Sequence, residues 1–186
     1  HWFHIAHLMV EGKKMSKSLG NLYTLDDLAQ KGYQAQEVRY VLLSGSYRQP
    51  LNFTFDSMQA SRKALSKLAD FAKKIGFMHK NEDSLESDFG PFSSVQEALL
   101  SDLNTPEALG RCFRLVRELS AQFDQTEMQG KEDQLQAVRK GFQATCDALG
   151  LQIEADKKHS EKIPSEIEAL AQKRWDSKLA KNWPMA

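Results

Sequence analysis

TFDSMQASRKALSKLADFAKKI, residues 54–75, decides what kind of fold this chain makes. Beyond its first turn, its larger apolar side chains fall at Met58, Leu65, Leu68, Phe71 and Ile75. Spacings of three, four and seven place them on one stripe of a helix. Thr54 can cap that helix, because its hydroxyl accepts a backbone N–H that the first turn leaves unpaired. A helix with one greasy stripe is unstable alone in water and must pack against others.

The same pattern recurs toward the C-terminus. Val95, Leu99 and Leu100 mark a helix closed by Asn104. Thr105-Pro106-Glu107 then supplies an N-cap, an N1 proline and an early acid for a helix carrying Leu109, Phe113, Val116, Leu119 and Phe123. Leu135, Val138, Phe142 and Leu149 mark the next, with Gly150 behind it. Residues 81–90 are acidic and polar and read as a loop, and residues 154–162 read as a charged linker. Residues 165–182 read as a last helix, with Ile167, Leu170, Ala171 and Trp175 facing inward.

Working back from Thr54, residues 46–53 contain Pro50 and read as an irregular connector. Residues 36–44 form a helix through Val38, Val41 and Leu42. Thr24 caps a short helix, with Asp27 placed for a capping box, that runs to Gln30 and stops at Lys31-Gly32. Residues 3–10 are apolar and extended, and Glu11-Gly12 is a turn. The expected fold is mainly α: a short strand and a loop, followed by an antiparallel helical bundle. No internal repeat supports a solenoid.

The chain has 186 residues, enough for one domain or for one domain with parts of others. Twenty-five Lys and Arg balance 25 Asp and Glu, which argues against a surface coated in positive charge but leaves room for a local basic patch. Cys112 and Cys146 lie in helical apolar patterns and read as buried free thiols of a reducing compartment. No apolar run approaches the roughly 18 residues of a membrane span. The opening HWFHIAHLMV has no basic leader and no cleavage pattern, so it does not read as a signal peptide. Starting without Met, directly on strand-like sequence, the chain reads as a piece of something longer.

Lys14-Met15-Ser16-Lys17-Ser18 is where chemistry is expected. The loop offers two ammonium groups, two hydroxyls and its own amides, and Gly20 lets the backbone turn. Lysine suits a polyphosphate because it is a compact charge on a mobile stem, with three donors to rotate onto phosphate oxygens. Such groups matter most as charge builds on a leaving pyrophosphate. By contrast, a solvated lysine-rich loop is the usual meaning of a charge run.

Other candidates are weaker. On a strand, His4 and His7 would face opposite ways and could not share a metal. His79 and His159 sit in polar stretches and read as solvated. Arg111, Arg114 and Arg117 lie three apart on one helix, and Lys173, Arg174 and Lys178 sit on the last one. Such faces are ordinarily just solvated.

The loop string, with SLGN behind it, matches the KMSKS element of class I aminoacyl-tRNA synthetases. The blocks WFHIAHLMVEGKKMSKSLGN, LYTLDDL and EVRYVLLSGSYRQPLNF together resemble the cysteinyl-tRNA synthetases. Trp2 and His4, Val38-Arg39-Tyr40, the set Ser44, Tyr47, Arg48, Leu51, Asn52 and Phe53, and Asn104-Thr105-Pro106 each match a family element. Arg174, Asp176, Lys181 and Trp183 resemble the family's closing helix. The chain departs at Gln34, at Ser101 (leaving Asp102 without the usual second acid), at Leu103, and at Asn182 and Pro184.

The resemblance implies a C-terminal fragment of a cytoplasmic cysteine–tRNA ligase, inactive alone, whose HIGH motif and zinc site precede His1. Residues 1–53 would end the catalytic domain, with the KMSKS loop and stem-contact helices. Residues 54–153 would form a bundle of the DALR, anticodon-binding type, 154–164 a linker and 165–186 the start of the anticodon-recognition region. ATP, with Mg, would bind Lys14, Met15, Ser16, Lys17 and Ser18; Lys17 would act on the phosphates and Lys14 support it. No metal ligands are expected within the chain itself. The partner would be tRNA, its backbone tracked by Arg111, Arg114, Arg117, Lys173, Arg174 and Lys178. A methionyl-tRNA synthetase, a ligase joining cysteine to an amino sugar, and a non-catalytic helical interaction module are the other readings.

Overall fold

Strand β1, Leu8–Val10, begins later than the apolar run from Phe3 suggests. In the computed structural model, which describes residues 2–78, 88–125 and 132–153, Phe3 and Ile5 are exposed. The Ala6 amide donates to the Tyr47 carbonyl, outside any strand ladder. His4 and His7 precede β1, so the alternation argued for them does not apply; both are exposed. The expected linker 154–164, the last helix, His79, His159 and most of the acidic loop lie outside the described residues.

Glu11 and Gly12 turn the chain from β1 into β2, Lys13–Lys14, which pairs antiparallel with Met9 opposite Lys14. The first part of the expected loop is therefore a hairpin arm. On the other edge of β1 lies β3, Leu51–Phe53, parallel, with Leu8 opposite Leu51 and Val10 opposite Phe53. This corrects the end of the irregular connector expected at 46–53; residues 46–50 are irregular, as read. Leu51 and Phe53 turn inward while Asn52 is exposed, the period of two of a strand. The pairing partner lies some forty residues upstream, beyond the reach of any local pattern.

Helix α1, Leu25–Gln30, starts on a full capping box between Thr24 and Asp27, as read. Helix α2, Ala35–Leu43, starts at Gln34 with Glu37 in the reciprocal position. Val10, Leu28, Val38, Val41, Phe53 and Met58 close a small core between the sheet and these helices.

Helix α3, Phe55–Lys74, is the expected long helix, capped by Thr54. Its stripe serves two cores. Met58 belongs to the small one, while Leu68, Phe71, Ala72 and Ile75 enter a larger one. That larger core is completed by α4, Ser93–Leu100, α5, Thr105–Gln125, and α6, Glu132–Leu149. Phe142 sits at its centre, fully buried, with the rings of Phe77 and Phe71 edge-on at 5.1 and 5.2 Å. Gly141 is a packing requirement, because a Cβ there would collide with the Phe89 carbonyl.

Two readings of the α4–α5 corner change. Leu100 is 79% exposed, so Val95 and Ala98 carry the buried face of α4. The N-cap of α5 is Asn104, whose Oδ1 accepts the Glu107 amide at 3.2 Å and whose carbonyl accepts the Ala108 amide at 3.0 Å. Thr105 is the first helical residue and Pro106 the second, both free of the need to donate within the helix.

Arginine side chains tie helix ends to neighbouring elements. Arg39 Nε on α2 donates to the Leu149 carbonyl at the end of α6 (2.7 Å), and Arg139 Nε on α6 donates to the Ile75 carbonyl behind α3 (2.6 Å). Both satisfy carbonyls that a helix terminus leaves unpaired, with a cation at the negative end of the dipole. The string Val38-Arg39-Tyr40 thus splits three ways: Val38 into the small core, Arg39 to α6, and Tyr40 against Phe113 at 6.2 Å in the large one.

Candidate phosphate-binding loop

The lysine loop leaves β2 at Lys14 and returns to α1 through a 3-10 turn, Lys17–Leu19. Gly20 closes that turn at φ +64, its amide donating to the Lys17 carbonyl. Positive φ is a conformation glycine adopts without steric cost. Asn21 braces the two limbs. Its Oδ1 accepts the Ser16 amide at 2.9 Å, and its Nδ2 donates to the Lys14 carbonyl at 3.2 Å. Met15 packs partly buried against the small core, while Lys14 and Lys17 on either side are exposed. The hydroxyls of Ser16 and Ser18 lie 3.2 Å apart. The result is a braced backbone presenting two ammonium groups and two hydroxyls to solvent, a donor set that suits the oxygens of a polyphosphate.

The root of the loop is held separately. Asn52 Oδ1 accepts the Gly12 amide at 2.8 Å, and a Glu11 carboxylate oxygen accepts the Phe55 amide, the first of α3, at 3.0 Å. Neither contact is legible in the local sequence. Asn21 and Asn52 both lie inside recognised strings, but nothing in their spacing says what they touch.

The Asp102 carboxylate, left without an acidic neighbour in the sequence, has basic and phenolic partners instead. Arg48 Nε donates to Oδ2 at 2.6 Å, and the Tyr47 hydroxyl donates to Oδ1 at 2.6 Å. Hydrogen bonds from Arg48 and then Tyr47 hold its carboxyl at about 2. Asp102 and Leu103 both have positive φ, 58° and 50°, a region sparsely occupied by residues with a Cβ. The corner between α4 and α5 is thereby pinned to the connector before β3.

Of the cations expected to meet tRNA, Lys173, Arg174 and Lys178 lie outside the described residues. Arg111 is engaged by Glu107 at 2.8 Å, by the Ser94 carbonyl at 2.9 Å and by Glu97 at 3.2 Å. Its hydrogen bond is the main cause that holds the Glu107 carboxyl below its ordinary range. Arg114 and Arg117 are exposed on α5. Arg117 borders a groove between α3 and α5, together with Lys67, Asp70 and Lys74, over a floor that includes Phe113. The structure does not bring this groove together with the lysine loop. Cys112 and Cys146 are buried free thiols, as read; burial pushes the first up to about 12 and the second well above its ordinary value. Among the described residues no group of three or more His, Cys, Asp or Glu could hold a metal ion, and no helix is long and apolar enough to cross a membrane.

Residues 1–63 match the family described as tRNA synthetases class I (C) catalytic domain, and residues 94–154 match the DALR domain. Along its whole length the chain is 43% identical to a cysteine–tRNA ligase of Opitutus terrae. It is 35% identical to that of Protochlamydia amoebophila and 34% identical to that of Chlamydia muridarum, again over the whole chain. The chain spans 36%, 38% and 41% of the length of these curated relatives. The resemblance to cysteinyl-tRNA synthetases read from the sequence is borne out, and so is the mainly helical fold with a DALR-type bundle.

Proposed function

We propose that the chain is part of a cysteine–tRNA ligase and supplies the phosphate loop and helical bundle of that enzyme. The observation that carries this reading is the braced lysine loop, with Lys14 and Lys17 exposed around an anchored Met15. In the reaction, a carboxylate oxygen of cysteine attacks the α-phosphorus of ATP, and the bond to the bridging oxygen breaks. Pyrophosphate leaves with its added negative charge. A terminal ribose hydroxyl of tRNA then attacks the cysteinyl-adenylate carbonyl, releasing AMP.

Lys17 donates to the departing phosphate oxygens, Lys14 supports it, and Ser16, Ser18 and the loop amides add neutral donors alongside Met15. A group of this kind is worth about a hundred- to a thousandfold in rate when it meets charge that appears only in the transition state. Mg2+ accompanies the ATP. The zinc that selects the thiol substrate, and the nucleotide-binding half of the site, belong to sequence upstream of His1, so this length of chain forms no adenylate by itself. The enzyme works in the cytoplasm.

The tRNA backbone lies along exposed cations of the bundle, Arg114 and Arg117 first among them, and Arg111 adds to that face while holding α4 to α5. Contacts of this type fix position without reading sequence. Within the class, the SGSYRQPLNF block at 44–53 favours cysteine over methionine, and the bundle favours tRNA over an amino sugar. The test is acceptor charging by the whole ligase with each amino acid in turn. Cysteine, and not methionine, must become attached to tRNA; transfer of cysteine to an amino sugar with none to tRNA would refute the reading.

A further inference from the structure

Glu11 occupies a position that its backbone disfavours. The hairpin from β1 to β2 has a two-residue connection, with φ +49 at Glu11 and +75 at Gly12. Positive φ at both residues is the pattern for which Asn-Gly is the preferred sequence, because asparagine tolerates the left-handed region and longer side chains do so poorly. Glutamate is nevertheless present, and its side chain has a specific contact: it accepts the Phe55 amide at 3.0 Å, while the Glu11 amide donates to the Phe53 carbonyl at 3.0 Å. Asn52, immediately before Phe53, accepts the Gly12 amide. The turn that carries the lysine loop is thus fastened at three points to the junction of β3 and α3. Because α3 runs on from the small core into the large one, the same junction fixes the loop relative to the bundle.

We propose that Glu11 is a positioning residue for the phosphate loop, exchanging turn stability for a fixed alignment of Lys14 and Lys17 with α3. This rests on the reading of that loop as the pyrophosphate site. An asparagine side chain is two bonds from Cα to its amide carbon and falls short of the Phe55 amide, whereas glutamine keeps both reach and acceptor.

The test compares Glu11→Asn and Glu11→Gln in cysteine-dependent ATP–pyrophosphate exchange by the whole ligase, with thermal melting alongside. Glu11→Asn is expected to lower kcat about ten- to a hundredfold, the scale of a misplaced catalytic group, with the KM for cysteine unchanged and Tm no lower than the parent. Glu11→Gln is expected to stay within about threefold, since one neutral acceptor replaces a charged one. A merely structural glutamate would give the opposite pairing, a lower Tm with normal kcat, and normal kcat in Glu11→Asn overturns the proposal. Were the parent itself inactive in exchange, the functional reading would fail and the clamp would be judged on this 186-residue chain. There, amide hydrogen exchange at Phe55 and Gly12 should quicken roughly fivefold in Glu11→Asn, the size of one lost cap, and unchanged rates would dismiss the clamp.

Discussion

Asp102 shows how far a single residue can be read from sequence. Its place before Asn104-Thr105-Pro106 was visible, but its partners Tyr47 and Arg48 lie more than fifty residues away. No periodicity encodes such a contact. The low carboxyl pKa of about 2 has a thermodynamic consequence. A group whose folded pKa is depressed contributes stability above its unfolded value, near 4, and loses it as pH falls through the folded value. Melting of the parent and of Asp102→Asn across pH 7 to 2 should therefore show a parent advantage that is constant above about pH 5 and shrinks between about 4 and 2. Since the pair is exposed, the gap should be small and salt-sensitive. A gap that widens on acidification would contradict the assignment.

At the level of elements, helices with a strong local stripe were legible, β1 was legible in part, and β2 and β3 were not. Thr54 as a cap, the run to Lys74, and the apolar sets of α5 and α6 all appear where the 3.6-residue period puts them. Strands β2 and β3 have two and three residues, too short for alternation to register, and each exists because β1 supplies a partner. The cap of α5 was misplaced by one residue because Asn104 and Thr105 are both good caps, and only the hydrogen bond chooses between them.

Helix α5 also carries a prediction of its own. Binding of tRNA to the whole ligase should weaken as salt rises, with a slope set by the number of phosphates contacted. Replacing Arg114 and Arg117 by Ala should flatten that slope by about one unit for each lost contact. An unaltered slope would remove α5 from the tRNA face.

At the scale of the molecule, two cores among the described residues share one helix, and the lysine loop packs against the smaller through Met15. The lysines of the loop stand out in the sequence by type and spacing alone. The contacts of Glu11, Asn21 and Asn52 do not: Glu11 and Asn52 meet backbone amides some forty residues away, and Asn21 bridges backbone atoms across its own loop. The central claim is that Lys17 stabilises departing pyrophosphate, and cysteine-dependent ATP–pyrophosphate exchange with Lys17→Ala in the whole ligase tests it most directly. Loss of one such donor should depress kcat about a hundredfold or more, with tRNA affinity left within about twofold because the lysine is spent on phosphate chemistry and not on holding RNA. Exchange at the parent rate, or equal losses in exchange and in tRNA binding, would contradict the account.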